Sequence, residues 1–129
     1  MPMPSLINLI SVAAGGAIGA SARYGVSIFF GSPGRFPWPT LTANVIGCFI
    51  AGIIGTWLLM RLPASTHVQL FLVTGILGGF TTFSAFSLDT LRLAESGAWS
   101  LAGLNVLANM LGSLLAACSG WWLARAVLT

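Results

Sequence analysis

The stretch Gly75-Ile76-Leu77-Gly78-Gly79-Phe80-Thr81-Thr82-Phe83-Ser84-Ala85-Phe86-Ser87 puts three glycines and four hydroxyl side chains into the middle of an otherwise apolar run. Glycine weakens a helix interior, and hydroxyls offer the backbone competing hydrogen bonds. The surrounding run covers about residues 68–94, some 27 residues, whereas one bilayer crossing takes roughly 20. The spare length predicts a span that crosses once and is broken near Gly78 to Thr81. Non-helical backbone at that depth is tolerated only where it is buried in protein or lines an ion site.

Outward from that run lie three more apolar segments, at about 6–30, 40–60 and 101–128. Pro33, Pro37 and Pro39 with Gly31 and Gly34 separate the first from the second, and Arg61-Leu62-Pro63 ends the second. The first lacks a basic leader, is long for a signal peptide and precedes three similar segments, so it is read as a retained span. Only 5% of the 129 residues are charged and 57% are hydrophobic, and no water-soluble surface can be built from that composition. Four crossings use nearly the whole chain. The expected fold is an all-α integral membrane protein, a single transmembrane domain over 1–129 with four helices, the third broken near its middle.

Five arginines, Arg23, Arg35, Arg61, Arg92 and Arg125, face only Asp89 and Glu95, and there is no lysine. They are scattered near the ends of apolar runs instead of gathered on one face, which argues against a nucleic-acid partner and for boundary markers in a lipid bilayer. Arg23, Arg35 and Arg92 go with the face of the first and third loops; Arg61 and Arg125 go with the other. Three against two is a weak orienting signal. A chain inserting both ways up could pair with its inverted copy about an in-plane two-fold axis, an antiparallel dual-topology homodimer; alternatively, one arginine of bias or a partner sets the orientation. Trp38 and Trp99 near one face, with Trp57, Trp121 and Trp122 near the other, fit interfacial belts.

Catalysis finds no footing. His67 is the only histidine, and no nucleophile, base and orienter stand together. Cys48 and Cys118 read as small residues within spans. The polar groups within the spans are mostly neutral donors: Asn44, Thr81, Thr82, Ser84, Ser87, Asn105, Asn109 and Ser113. At about 100° per residue, Asn105, Asn109, Gly112, Ser113, Ala116 and Gly120 share one arc of the last helix, while Leu107, Leu111, Leu114, Trp121 and Trp122 fall outside it. Asn44, Cys48, Gly52 and Gly55 form a similar stripe on the second. Gly15, Gly16, Gly19 and Ala20 on the first helix, and Gly47, Ala51 and Gly55 on the second, allow close backbone approach. The amide stripes suit either interhelical hydrogen bonding or a path lined with donors for a small, hard anion. Phe83 and Phe86 are either packing residues or rings turning a positive edge to that anion.

Taken together, the segments Gly15 to Tyr24, Thr40 to Gly47, Gly75 to Ser87 and Asn109 to Ser113, in that order, resemble the Fluc family of fluoride channels, also called CrcB proteins. The resemblance covers essentially the whole chain and implies a dual-topology homodimer with two fluoride pathways, each built from both subunits. It also implies a sodium ion held centrally by the backbone carbonyls of Gly78 and Thr81. By matching positions, Phe83 and Phe86 would present ring edges to fluoride, Asn44 an amide, and Thr82 and Ser84 hydroxyls. Asn109 and Ser113 would continue the polar track, and Arg23 would stand near an aqueous vestibule. The family pattern has Thr at Ala85, Gly at Pro39 and Glu at Asp89.

The implied activity is passive export of fluoride across a bacterial inner membrane, which relieves its toxicity without an energy source. The rival reading is a small multidrug-type dual-topology exporter, which carries an acidic residue in its first span. The first acidic residue here is Asp89. A non-conducting scaffold subunit would leave the aligned amides unexplained.

Overall fold

A computed structural model describes residues 5–31, 34–61 and 65–129. Of the turns expected around the prolines, 32–33 and 62–64 lie outside the described residues. The described residues form α1 (Leu6–Phe30), α2 (Trp38–Met60), α3 (Thr66–Gln69), a π-helical run π1 (Leu70–Leu77), α4 (Gly78–Phe80), α5 (Phe83–Glu95) and α6 (Trp99–Leu128). Four stretches, Leu6–Phe30, Trp38–Met60, Thr66–Glu95 and Trp99–Leu128, are long and apolar enough to cross a membrane. This is a multi-pass membrane protein whose described spans are helical except at Thr81 and Thr82 in the third.

The first helix starts where its apolar run suggests and the other three spans about two residues earlier, for local reasons. Ser5 caps α1, its hydroxyl accepting from the Asn8 N–H at 3.3 Å. Pro39 does not delay α2, because in a first helical turn its missing N–H and fixed φ cost nothing. The start of α6 is set by the end of α5. Gly97 takes a φ of 85°, which a side chain would resist. The Ala98 N–H then reaches back to the Leu93 carbonyl at 2.8 Å and the Gly97 N–H to Ala94 at 3.0 Å. This Schellman arrangement brings Ala98 onto Leu93, which with Ala102 forms a small apolar cluster at that membrane face.

Two seams hold the bundle. α2 lies along α6, and α1 lies along π1 and α4. At the second seam a Cβ on Gly75 would stand 2.7 Å from the Cα of Gly15. At the first, a Cβ on Gly120 would strike the Phe49 carbonyl, and one on Gly52 the Ala117 carbonyl. In lipid, where helix surfaces gain nothing by leaving water, such backbone contact is what replaces the hydrophobic drive. The outward faces remain apolar and exposed, with Phe29 at 85% and Val127 at 75%, as lipid solvation requires.

Candidate functional site: a polar cavity at the broken third span

The third span breaks at Thr81 and Thr82, at the far edge of the stretch where the glycines pointed. Thr81 has ψ 155° and Thr82 φ −153°, ψ 119°, both extended. The expected range ended at Thr81, and the break runs one residue further because Thr82 caps the next helix. Its Oγ1 accepts from the Ala85 N–H at 3.1 Å. Upstream, π1 supplies an eight-residue π-helical run, a feature that tends to mark functional sites.

Four backbone groups freed by the break find identifiable partners. In an unbroken α-helix the Thr82 N–H would bond to the Gly78 carbonyl. Here it is taken by Asn44 Oδ1 at 2.8 Å, while Asn44 Nδ2 donates to the Thr82 carbonyl at 3.1 Å. One asparagine thus meets both backbone groups of one extended residue. By the same logic the Ala85 N–H, diverted to the Thr82 hydroxyl, would otherwise have met the Thr81 carbonyl. The Gly79 carbonyl, deprived of a following turn, receives Arg23 Nε at 3.2 Å. A guanidinium at the carbonyl end of a helix is favoured by the dipole as well as by the hydrogen bond.

A cavity of about 300 Å³ opens beside the break. α2 contributes Asn44 and Cys48, the break Thr81 and Thr82, α5 Phe83 and Phe86, and α6 Asn109, Met110, Ser113 and Leu114. The Phe83 and Phe86 rings lie 5.1 Å apart with planes at 59°. Phe86 is buried at 6% exposure, whereas Phe83 is 67% exposed. Ser113 Oγ is buried and, among the described residues, has no hydrogen-bond partner. Such a group costs about 1–3 kcal/mol unless something outside the chain meets it.

The sequence reading named Asn44, Thr82, Phe83, Ser84, Phe86, Asn109 and Ser113, and all but Ser84 line this cavity. Ser84 stands just outside, its Oγ 3.2 Å from Thr82 Oγ1. Arg23 does not reach the cavity lining; it holds the Gly79 carbonyl. Sequence reasoning missed Thr90, whose hydroxyl receives Asn105 Nδ2 at 3.0 Å and donates to the Phe86 carbonyl at 2.8 Å. Its spacing of four from Phe86 and its place facing the fourth-helix amides were the available signals.

Residues 10–121 match the model of the family described as CrcB-like protein, Camphor Resistance (CrcB). A fluoride-specific ion channel FluC of Agrobacterium fabrum is 46% identical over 123 residues, covering 93% of this chain and 98% of that protein. The protein of that name from Roseobacter denitrificans is 47% identical, over 93% and 97%. FluC 1 of Mycobacterium bovis is 43% identical, over 90% and 89%. A match spanning nearly all four membrane segments, with relatives alike end to end, makes this chain a member of the CrcB-like family.

Proposed function

We propose that the chain is a fluoride-selective ion channel that lets fluoride leave the cytoplasm passively, working as an antiparallel pair with a sodium ion held at its centre. The carrying observation is the uncharged, donor-bearing cavity at the broken span, in a chain whose near-full-length relatives are named fluoride-specific channels. Fluoride is small and strongly hydrated, so a selective path must replace its water with close donors, which larger halides would fit poorly. The unpartnered Ser113 hydroxyl is such a donor, and the Thr82 and Ser84 hydroxyls, which bond to each other, leave one hydrogen between them for the anion. The N-terminus of α5 opens at the cavity and adds the positive end of a helix dipole. Asn44, Asn109, Phe83 and Phe86 complete the wall, and Arg23, bonded to the Gly79 carbonyl, stands as a fixed positive charge beside the break.

The carbonyl of Gly78, in the last helical turn before the break, and that of Thr81, on extended backbone, are hard oxygen donors released from helical pairing, a type of donor set that suits sodium. Bound there, sodium would pin the break; the chain's part is to divert to Asn44 and to the Thr82 hydroxyl the N–H groups that would otherwise occupy those carbonyls. The paired arrangement is supported by the near-balanced arginines and by Phe83, which one protomer leaves exposed beside the cavity.

The exporter reading lacks its acidic residue, since α1 carries no Asp or Glu. Purified protein in liposomes is expected to discharge a fluoride gradient and leave a chloride gradient standing; equal chloride efflux, or no fluoride flux from well-inserted protein, overturns the channel. Phe83→Ile and Phe86→Ile should each suppress that flux without dispersing the dimer, and unchanged flux in both returns the rings to packing.

A further inference from the structure

Three asparagines and a threonine form one continuous hydrogen-bonded chain across α2, α6 and α5. From Asn44, Nδ2 donates to Asn109 Oδ1 at 2.9 Å. Asn109 Nδ2 donates to Asn105 Oδ1 at 2.9 Å and to the Asn105 carbonyl at 3.0 Å. Asn105 Nδ2 donates to the Thr90 hydroxyl, and that hydroxyl donates to the Phe86 carbonyl. The three amides are buried, Asn105 at 0% exposure, Asn109 at 4% and Asn44 at 8%.

The direction of this chain is fixed by groups that have no choice. A backbone N–H only donates, so the Asn44 atom facing Thr82 N–H is its oxygen, and its nitrogen must face Asn109. That makes the facing Asn109 atom an oxygen and turns the Asn109 nitrogen to Asn105, where the backbone carbonyl can only accept. Asn105 must then give its nitrogen to Thr90, whose own hydrogen is left for the Phe86 carbonyl, again an acceptor only. Three backbone groups, on Thr82, Asn105 and Phe86, independently require the same polarity. Both amide hydrogens of Asn44 and both of Asn109 have acceptors within the protein.

We propose that this one-way ladder is a positioning device: Asn44 and Asn109 hold the cavity wall rather than donate to the anion, and Asn105 and Thr90 tie the break at Thr82 to the helix turn that carries Phe86. The proposal rests on the channel reading. It divides the polar wall into groups whose hydrogens are spent and a few, chiefly Ser113, whose hydrogens are free. Asn105 and Thr90 do not line the cavity, so any effect they have on conduction passes through the ladder.

The test uses the full-length protein. Thr90→Val keeps the shape and removes the rung; fluoride efflux from liposomes should fall about tenfold, the scale of one lost hydrogen bond. Thr90→Ser, which keeps the hydroxyl, should recover most of it. Flux within twofold of the parent in Thr90→Val, or an equal fall in both variants, overturns the ladder. Independently, the Asn44 and Asn109 side-chain amide resonances of asparagine-labelled protein should exchange slowly with solvent and keep their shifts as sodium fluoride is added. A saturable shift makes them anion donors, and rapid exchange denies the ladder. Should the parent carry no fluoride, the channel reading fails, and slow or rapid exchange still decides whether the ladder exists.

Discussion

Ser113 is the residue where structure and activity pull apart. Its buried hydroxyl has no partner among the described residues, so on stability grounds alone it is a defect. Ser113→Ala should therefore raise the unfolding temperature in detergent, by the equivalent of about 1 kcal/mol, while lowering fluoride flux in liposomes. A variant that loses stability, or gains it with flux intact, removes Ser113 from the path. Asp89 behaves differently: its carboxylate accepts from the Thr40 hydroxyl at 2.8 Å and lies 3.8 Å from Arg92. Those contacts place it among partners of its own chain at the membrane face, outside the cavity lining.

Among the elements, the seam between α1 and the first half of the third span is the most exacting. Gly75→Ala would set a methyl 2.7 Å from the Gly15 Cα, with backbone and no flexible side chain in the way. The two helices must separate, at about 1–3 kcal/mol, and chemical unfolding in detergent should show that loss; a neutral substitution would mean that the helices are not held at this distance.

The α1 side of this seam was legible, because glycines at helical spacing have few other uses in a span; the part of Gly75 was not, since its neighbours Gly78 and Gly79 mark the break and phase does not say which helix packs on which. The four spans were legible from hydropathy and length, and the break from local composition to within a residue. The π-helical form of Leu70–Leu77 was not, since nothing in Leu70-Phe71-Leu72-Val73-Thr74 distinguishes one helical hydrogen-bond register from another. The amide stripes on α2 and α6 could be assigned to faces by phase. Phase cannot tell which atoms of Asn44, Asn109 and Asn105 meet, because that depends on where the break presents the Thr82 N–H. Thr90 was invisible for the same reason: its role exists only across two helices.

For the whole molecule, three of the arginines can be placed at the loop faces, while Arg23 is engaged at the break in the third span. Arg35 and Arg92 line one cavity of about 370 Å³ between the first and third loops, while Arg61 Nη2 donates to the Leu128 carbonyl at 2.9 Å on the opposite face. A reporter fused after Thr129 should signal from both sides of the membrane. Replacing Arg61 and Arg125 by Gln would leave the loop arginines Arg35 and Arg92 unopposed on one face and fix a single orientation. Flux should then fall away and return on co-expression with an Arg35→Gln, Arg92→Gln partner of opposite bias. Full flux from the single-orientation variant would rule out the inverted pair.

The exchange of hydrogen bonds at Thr82 also makes the open third span conditional on its neighbour. Before α2 docks, hydrocarbon offers the Thr82 N–H no acceptor other than the Gly78 carbonyl one turn back, so the bilayer holds the third span as an uninterrupted helix. Only when Asn44 arrives, with an oxygen and an N–H set to meet Thr82, does opening the helix cease to strand polar groups in lipid. The break thus depends on the neighbouring helix, and the third span opens without stranding the Thr82 polar groups only where the second is packed against it.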